Sequence, residues 1–158
     1  MTYMDVDLST NLDHFMPMVR PIVEGRYHLA TGSRLMRGAR VKRQPKREII
    51  SRCYNLIVKT MFPSRKFFDA QCGFKAMSRE AARALIPLVR DNAWFFDSEL
   101  LLIAQENGYR LREVPVRWDE DTDTRVNIIA TATEDLQGIW RLRVGGIPKA
   151  QRGTETPR

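Results

Sequence analysis

The chain is poor in the residues that usually advertise chemistry or compartment: among its 158 residues there are two cysteines and two histidines. Cys53 and Cys72 are too few for a disulfide framework or a zinc site, so a reducing setting is the default. His14 and His28 have no nucleophile at useful spacing, which argues against a catalytic triad. No apolar run approaches the roughly 18–20 residues of a membrane-spanning helix, and Leu100–Ala104 is the longest clean stretch. No charged n-region followed by an apolar h-region opens the chain, so a cytoplasmic protein is the expectation. There is no internal repeat and no low-complexity tract. A hydrophobic fraction of 43% and a charged fraction of 28% exclude collagen-like, mucin-like and wholly disordered chains. The length fits one domain, which at this size buries about 68–70% of its unfolded surface.

What the chain does have is positive charge. Lys plus Arg is 26 and Asp plus Glu is 19, a formal net charge of +7. Arg34, Arg37, Arg40, Lys42, Arg43, Lys46 and Arg47 crowd one segment, while Asp119, Glu120, Asp121 and Asp123 form an acidic run far away. A basic cluster attracts phosphates of nucleic acid, nucleotide or anionic lipid, and arginine forks hold phosphate oxygens in pairs. A solvated loop accounts for the same charges equally well. Aromatics are not interleaved with the run as stacking platforms require, so no nucleic-acid partner is expected, although a basic nucleic-acid-binding module is the alternative function.

Apolar periodicity alternates between strand and helix, which makes the class α/β. Thr2-Tyr3-Met4 reads as the end of a buried strand, and Leu8-Ser9-Thr10-Asn11 as a strand-to-helix turn. Leu12, Phe15, Met16 and Val19 predict a helix up to Pro21. Tyr27 to Thr31 predicts a strand ending at Gly32-Ser33-Arg34. The basic segment 34–47, with Gly38 and Pro45, reads as a mobile loop. From Glu48 to Phe62 the residues Ile49, Ile50, Cys53, Leu56, Ile57 and Met61 predict a helix buried along that stripe. Phe67 to Lys75 is a loop entering a short strand. Ser78 can cap the next helix, and Pro87 kinks or ends it. Asp97 or Ser98 is expected to cap a helix that stops at Gly108. Leu111 to Trp118 is a strand with Val114, Val116 and Trp118 on one face, and Pro115 places it near a sheet edge. Ile129, Ala132, Leu136, Ile139 and Trp140 line a last helix, 128–143. Residues 145–158 are expected to be a disordered tail.

In an α/β sheet the site lies at the carboxyl ends of the strands. Three polar clusters fall there: Asp5/Asp7, Ser33/Arg34 and Asp69. In an extended segment residues i and i+2 point the same way. Two carboxylates on one face suit a hard cation such as Mg²⁺ or Mn²⁺, completed by nucleotide phosphates, although Asp-x-Asp equally serves as a cap and a loop aspartate. Arg47 and Ser51 share a helical face and make an anion clamp or a charged surface. Cys72, with no histidine beside it, reads as a buried structural thiol, and Gly73 marks a close backbone approach or a positive φ. Trp94, Phe95 and Phe96 read as core, and Glu99 as a site-facing or exposed first-turn carboxylate.

The order of these motifs carries a resemblance. Asp5-Val6-Asp7-Leu8-Ser9-Thr10, Gly32-Ser33-Arg34, Ile50-Ser51-Arg52 with Asn55, Asp69-Ala70-Gln71-Cys72-Gly73-Phe74-Lys75, Phe96-Asp97-Ser98-Glu99-Leu100 and Val114-Pro115-Val116-Arg117-Trp118 follow one another. The set resembles the family-2 glycosyltransferases of GT-A fold, in the branch of dolichyl- or polyprenyl-phosphate glucosyl- and mannosyltransferases, from about Tyr3 to about Arg143. The resemblance implies inverting transfer of a hexose from UDP-glucose or GDP-mannose to a polyprenyl or dolichyl phosphate, dependent on Mg²⁺ or Mn²⁺. Asp5 and Asp7 match the metal and nucleotide-sugar motif, and Asp69 matches the acceptor loop; these three are the expected catalytic residues. Ser33, Arg34, Arg47, Ser51, Arg52 and Glu99 are the expected substrate- and phosphate-binding residues. A glycosyltransferase with a soluble acceptor is a further alternative.

Such an acceptor phosphate is already ionised near neutral pH, so no strong base is needed, in keeping with the scarcity of histidine. A basic surface suits an acceptor held in an anionic membrane, and helix 128–143, with Trp140 beside Arg141 and Arg143, suits either that membrane or docking on the domain. The expected location is therefore cytoplasmic, or peripheral at the cytoplasmic face of a membrane. In the family a nucleotide-binding half precedes the Asp-x-Asp motif, and here four residues do. Residues 1–144 are thus expected to be the C-terminal part of a mostly parallel, Rossmann-like glycosyltransferase domain, N-terminally truncated and inactive alone.

Overall fold

The computed structural model describes residues 1–5, 7, 9–119 and 128–150. The elements are β1 (Thr2–Tyr3), α1 (Phe15–Val23), β2 (Leu29–Ser33), β3 (Arg40–Lys42), α2 (Pro45–Met61), β4 (Lys75–Met77), α3 (Arg79–Leu85), α4 (Phe96–Glu106), β5 (Leu111–Pro115), β6 (Arg117–Asp119) and α5 (Ile128–Gly145). The α/β class expected from alternating periodicity is the one observed. β1, β4, β2 and β5 form one sheet in that order, and β3 pairs with β6 in a second. β2 and β5 are parallel, while β4 is antiparallel to both β1 and β2, so three of the four strands run one way and β4 runs against them.

Punctuation residues act where the sequence places them. The Asn11 side chain accepts from Asp13 N at 2.7 Å and starts the 3₁₀ turn before α1. Ser78 Oγ accepts from Ala81 N and caps α3, and a 3₁₀ turn at Ile86–Leu88, with Pro87, ends that arm. Gly108, at φ 75°, stops α4. Met18 of α1 packs on the sheet against Ala30, Phe74, Val114, Val116 and Trp118. α4 is buried all round from Ser98 to Ala104 and joins Val58, Phe62 and Ile139 in a second core.

Several expectations are corrected. Thr2–Tyr3 is an edge strand with Thr2 exposed, where a buried strand was expected. The basic segment 34–47 is not simply a loop: Arg40–Lys42 is a strand in parallel register with Arg117–Asp119, and α2 begins at Pro45, a favoured first helical residue. The strand expected over 111–118 changes sheet at Val116, with β5 at the edge of one sheet and β6 in the other. Neither Asp97 nor Ser98 caps α4; Phe95 stands at its N-cap and both polar residues lie in its first turn. Phe95 is core, whereas Trp94 is exposed. The face of α2 is inverted: Ser51, Tyr54, Asn55 and Val58 are buried, and Ile49, Cys53, Leu56 and Ile57 face outward. On α5, Asp135, Ile139 and Leu142 are buried, while Leu136, Trp140 and Val144 form an exposed stripe. Residues 146–150 dock instead of trailing: Asn107 donates to Pro148 O and accepts from Ala150 N, and Lys149 pairs with Glu106. Val6, Leu8, Glu120, Asp121, Asp123, the side chain of Ile129 and the tail 151–158 lie outside the described residues.

Candidate functional site

The carboxyl ends of β1 and β2 open onto the same rim as the amino end of β4, because β4 is reversed. Tyr3 and Thr31 both stand opposite Lys75 in their registers. Two residues further along, Asp5 lies against Gly73, and Ser33 ends β2 on the same rim. A side chain at Gly73 would lie 2.0 Å from Asp5 Oδ1, so the carboxylate rests directly on the glycine backbone. Of the two readings of Gly73, close approach holds, since its φ is not positive. Cys72 beside it is buried, and burial pushes its thiol up to about 11, as fits a structural rather than a reactive cysteine.

Asp5 lies beyond the end of β1, and Asp7 is in a turn, where its Oδ1 accepts from Ser9 N at 3.0 Å. The two carboxylates therefore do not share one extended strand face. They remain within electrostatic reach of each other: partial burial, then Asp97 and Asp7, raise the Asp5 carboxyl above its usual range, and Arg34 and Lys75 oppose this.

Asp97 was not foreseen in this role. From the first turn of α4 its Oδ1 accepts from Tyr3 Oη at 2.7 Å and pairs with Lys75 Nζ at 3.1 Å. Lys75 is fully buried and also donates to Cys72 O. A lysine inside a predicted strand is the one sequence signal for this pair, because a buried ammonium requires a counter-charge.

Arg34 extends from the end of β2. Its Nε donates to Asp69 Oδ2 at 2.8 Å and its Nη2 to Asp69 Oδ1 at 3.0 Å, and its backbone N–H donates to Asp69 Oδ2 at 3.0 Å. The guanidinium also lies 5.6 Å from the centre of the Trp118 ring. Burial alone would raise the Asp69 carboxyl; the charge and hydrogen bonds of Arg34 outweigh this and hold it at about 2. The loop carrying Asp69 is fastened from three sides. Glu113 of β5 accepts from Phe68 N and Asp69 N, Asn55 of α2 accepts from Ala70 N, and Ser98 of α4 reaches Ala70 O.

The other expected residues divide. Ser33 is fully buried at the same strand end. Ser51 and Arg47 lie on α2 one and two turns before the Asn55 that holds the Asp69 loop; Ser51 is buried and its Oγ has no hydrogen-bond partner. Arg52 points to solvent and pairs with Glu48. Glu99 is fully buried and accepts from Arg90 N, Asp91 N and Arg141 Nη2, so it fastens α5 to α4. Both histidines accept backbone hydrogen bonds, His14 from Arg117 N and His28 from Arg110 N. Among the described residues no three His, Cys, Asp or Glu side chains are grouped to hold a metal alone, and no helix is long and apolar enough to cross a membrane.

No family profile matches the chain. Curated relatives do. The chain is 41% identical over 148 residues to glycosyltransferase AglD of Haloferax volcanii, covering 91% of this chain and 24% of that protein. It is 34% identical over 155 residues to a dolichyl-phosphate β-glucosyltransferase of Trichomonas vaginalis, covering 88% of this chain and 46% of the relative. A dolichyl-phosphate β-glucosyltransferase of Drosophila melanogaster is 37% identical over 94 residues. With the ordered motifs, these matches make the chain a relative of the glycosyltransferases. The chain spans about a quarter to a half of the length of these first two relatives.

Proposed function

We propose that the chain carries the metal motif and the acceptor side of an enzyme that transfers a hexose, with inversion, from a nucleotide sugar to a polyprenyl or dolichyl phosphate. The observation that carries this reading is the position of Arg34, paired with Asp69 on one side and within electrostatic reach of Asp5 on the other. A phosphate-gripping arginine beside an acidic motif puts an anionic acceptor next to a cation-bound donor. The relatives named for β-glucosyl transfer to dolichyl phosphate favour UDP-glucose over GDP-mannose as the donor.

The donor set suits a hard divalent cation. Asp5 and Asp7 supply carboxylate oxygens, and the Asp5 carboxyl is raised above its usual range by partial burial first and by Asp97 and Asp7 after that. Asp5 and Asp7 would hold such a cation, which would supply charge neutralisation for the departing diphosphate. This chain's own residues orient the acceptor. Arg34, with Arg47 and Ser51 of α2, aligns the phosphate for attack on the anomeric carbon. A carbon–oxygen bond to the acceptor phosphate forms as the bond to the nucleoside diphosphate breaks. No proton has to be removed, because the acceptor oxygen is already anionic. Lys75 and Tyr3 hold Asp97, whose charge acts on the Asp5 carboxyl.

The exposed stripe Leu136, Trp140 and Val144, with Arg143 alongside, supports contact with an anionic membrane in which such an acceptor resides. The test has two parts. The 158-residue chain should bind Mn²⁺ in paramagnetic titrations and farnesyl monophosphate in calorimetry, and Asp5→Asn should abolish the first without the second. It should transfer no radiolabelled glucose from UDP-glucose to dolichyl phosphate by itself. Failure to bind either ligand overturns the assignment, and transfer by the chain alone overturns the expected inactivity.

A further inference from the structure

Asp69 matches a residue of the acceptor loop, and its surroundings define its task more narrowly. Both oxygens are occupied: Oδ2 accepts from Arg34 Nε and Arg34 N, and Oδ1 from Arg34 Nη2 and Gln71 N. The residue is 0% exposed. A carboxylate so occupied, with a proton affinity far below neutral, is not poised to accept a proton from a substrate. The pairing with Arg34 is side-on. It uses Nε–H and one Nη2 proton, which leaves the end-on fork of Nη1 and the second Nη2 proton on the side of the guanidinium away from Asp69. An end-on fork matches two phosphate oxygens. The rest of the loop cannot follow a moving ligand, because Glu113, Asn55 and Ser98 fasten Phe68, Asp69 and Ala70 to three separate elements.

We propose that Asp69 is a positioning residue, fixing the Arg34 guanidinium against Trp118 so that its end-on fork meets the acceptor phosphate. This rests on the reading of Arg34 as a phosphate-gripping residue. It assigns Asp69 to acceptor binding through Arg34 and removes it from direct contact with the reacting atoms. The loop is then a rigid bracket whose function is the orientation of one side chain. Arginine is required there because a lysine has no second edge to present once the first is paired.

The test uses the full 158-residue chain and farnesyl monophosphate, with farnesol as the uncharged control. Asp69→Asn and Arg34→Lys should each weaken farnesyl monophosphate binding by roughly 10- to 100-fold, the usual range for a charge-assisted hydrogen bond. The double variant should bind no more weakly than Arg34→Lys alone. Wild-type affinity in Asp69→Asn, or a loss that adds in full to that of Arg34→Lys, overturns the proposal. Because either variant disrupts a buried pair, the wild type supplies a second readout. In proton–nitrogen correlation spectra the Arg34 Nε–H should exchange with water far more slowly than that of free arginine, and farnesyl monophosphate should shift it. Exchange as fast as that of free arginine overturns the positioning role. Failure of the wild type to bind farnesyl monophosphate refutes the acceptor reading instead, while slow Arg34 exchange still upholds the bracket.

Discussion

Asp135→Asn should stabilise the protein, by an amount that depends on pH in a defined way. Asp135 lies on the inner side of α5 and is 2% exposed. Gln71 Nε2 donates to its Oδ2 at 2.8 Å, and its Oδ1 has no hydrogen-bond partner. Burial, then the charges of Asp91 and Glu134, push its carboxyl from the usual 3.8 up to about 7, and the Gln71 bond only partly offsets this. The folded state therefore holds the proton more tightly than the unfolded chain. The stability this contributes is fully present below pH 3.8 and is lost as pH rises towards about 7, after which nothing more is lost. The interval corresponds to at most about 4 kcal/mol. Asparagine is uncharged throughout and keeps an oxygen for Gln71. Against the wild type, the variant should gain on the order of 1 kcal/mol at pH 4.5 and about 2–4 kcal/mol at pH 8. At about 2–4 °C per kcal/mol for a chain of this size, the melting temperature should rise by roughly 5–15 °C at pH 8. Thermal melts followed by circular dichroism at the two pH values measure it. A gap that is equal at both pH values, or a variant less stable at pH 8, refutes the reasoning.

Gly73→Ala should displace the Asp5 carboxylate, against which a new methyl would lie 2.0 Å from Oδ1; Mn²⁺ affinity should fall about tenfold in paramagnetic titrations, and unchanged affinity would show that Asp5 is not the ligand. Gly138→Ala places a methyl 2.2 Å from the fully buried Phe95 ring, so overpacking should cost on the order of 1–3 kcal/mol in urea unfolding despite the better helix propensity of alanine. Trp140→Ser removes a side chain that is 64% exposed; it should leave stability within about 0.5 kcal/mol while reducing sedimentation with vesicles rich in anionic lipid, and undiminished sedimentation would argue against α5 as the membrane contact.

Local chemistry was legible in the sequence where it is fixed within a turn or two. Asn11, Ser78, Pro87 and Gly108 act where they were expected, because caps and breakers work on their own backbone. What failed depended on distant partners. Helical spacing on α2 shows that an apolar stripe exists, yet the protein packs the opposite face. Asn55 is needed for Ala70 N, and Tyr54 Oη meets Ser98 Oγ, so polar groups on that face have buried partners. Arg40–Lys42 has no strand signal of its own and forms a strand only because Arg117–Asp119 lies alongside. Asp97 read as a cap because an acid before an apolar run usually is one; that its carboxylate meets Tyr3 and Lys75 follows from tertiary packing alone.

The reversal of β4 explains why so few residues suffice to build the site. Were all four strands to run one way, the loop entering β4 would open at the opposite edge of the sheet from Asp5 and Arg34. Because β4 runs against its neighbours, the loop from Phe67 to Phe74 arrives on the rim where β1 and β2 end. Asp69 can then reach back to Arg34, Gly73 can lie under Asp5, and Lys75, the first residue of β4, can meet Asp97 from α4. Each of these contacts pairs groups of opposite charge or admits a carboxylate onto bare backbone, so two fully buried side chains, Asp69 and Lys75, each face a partner of opposite sign. The small residues of the loop follow from the same constraint. Gly32 has Cys72 Sγ within 2.8 Å of where its Cβ would be, and Gly73 has the Asp5 carboxylate, so neither position has room for a side chain without shifting the rim. The motif order read along the chain is thus the sequence image of one reversed strand, with the acidic motif on one neighbour and the arginine on the other.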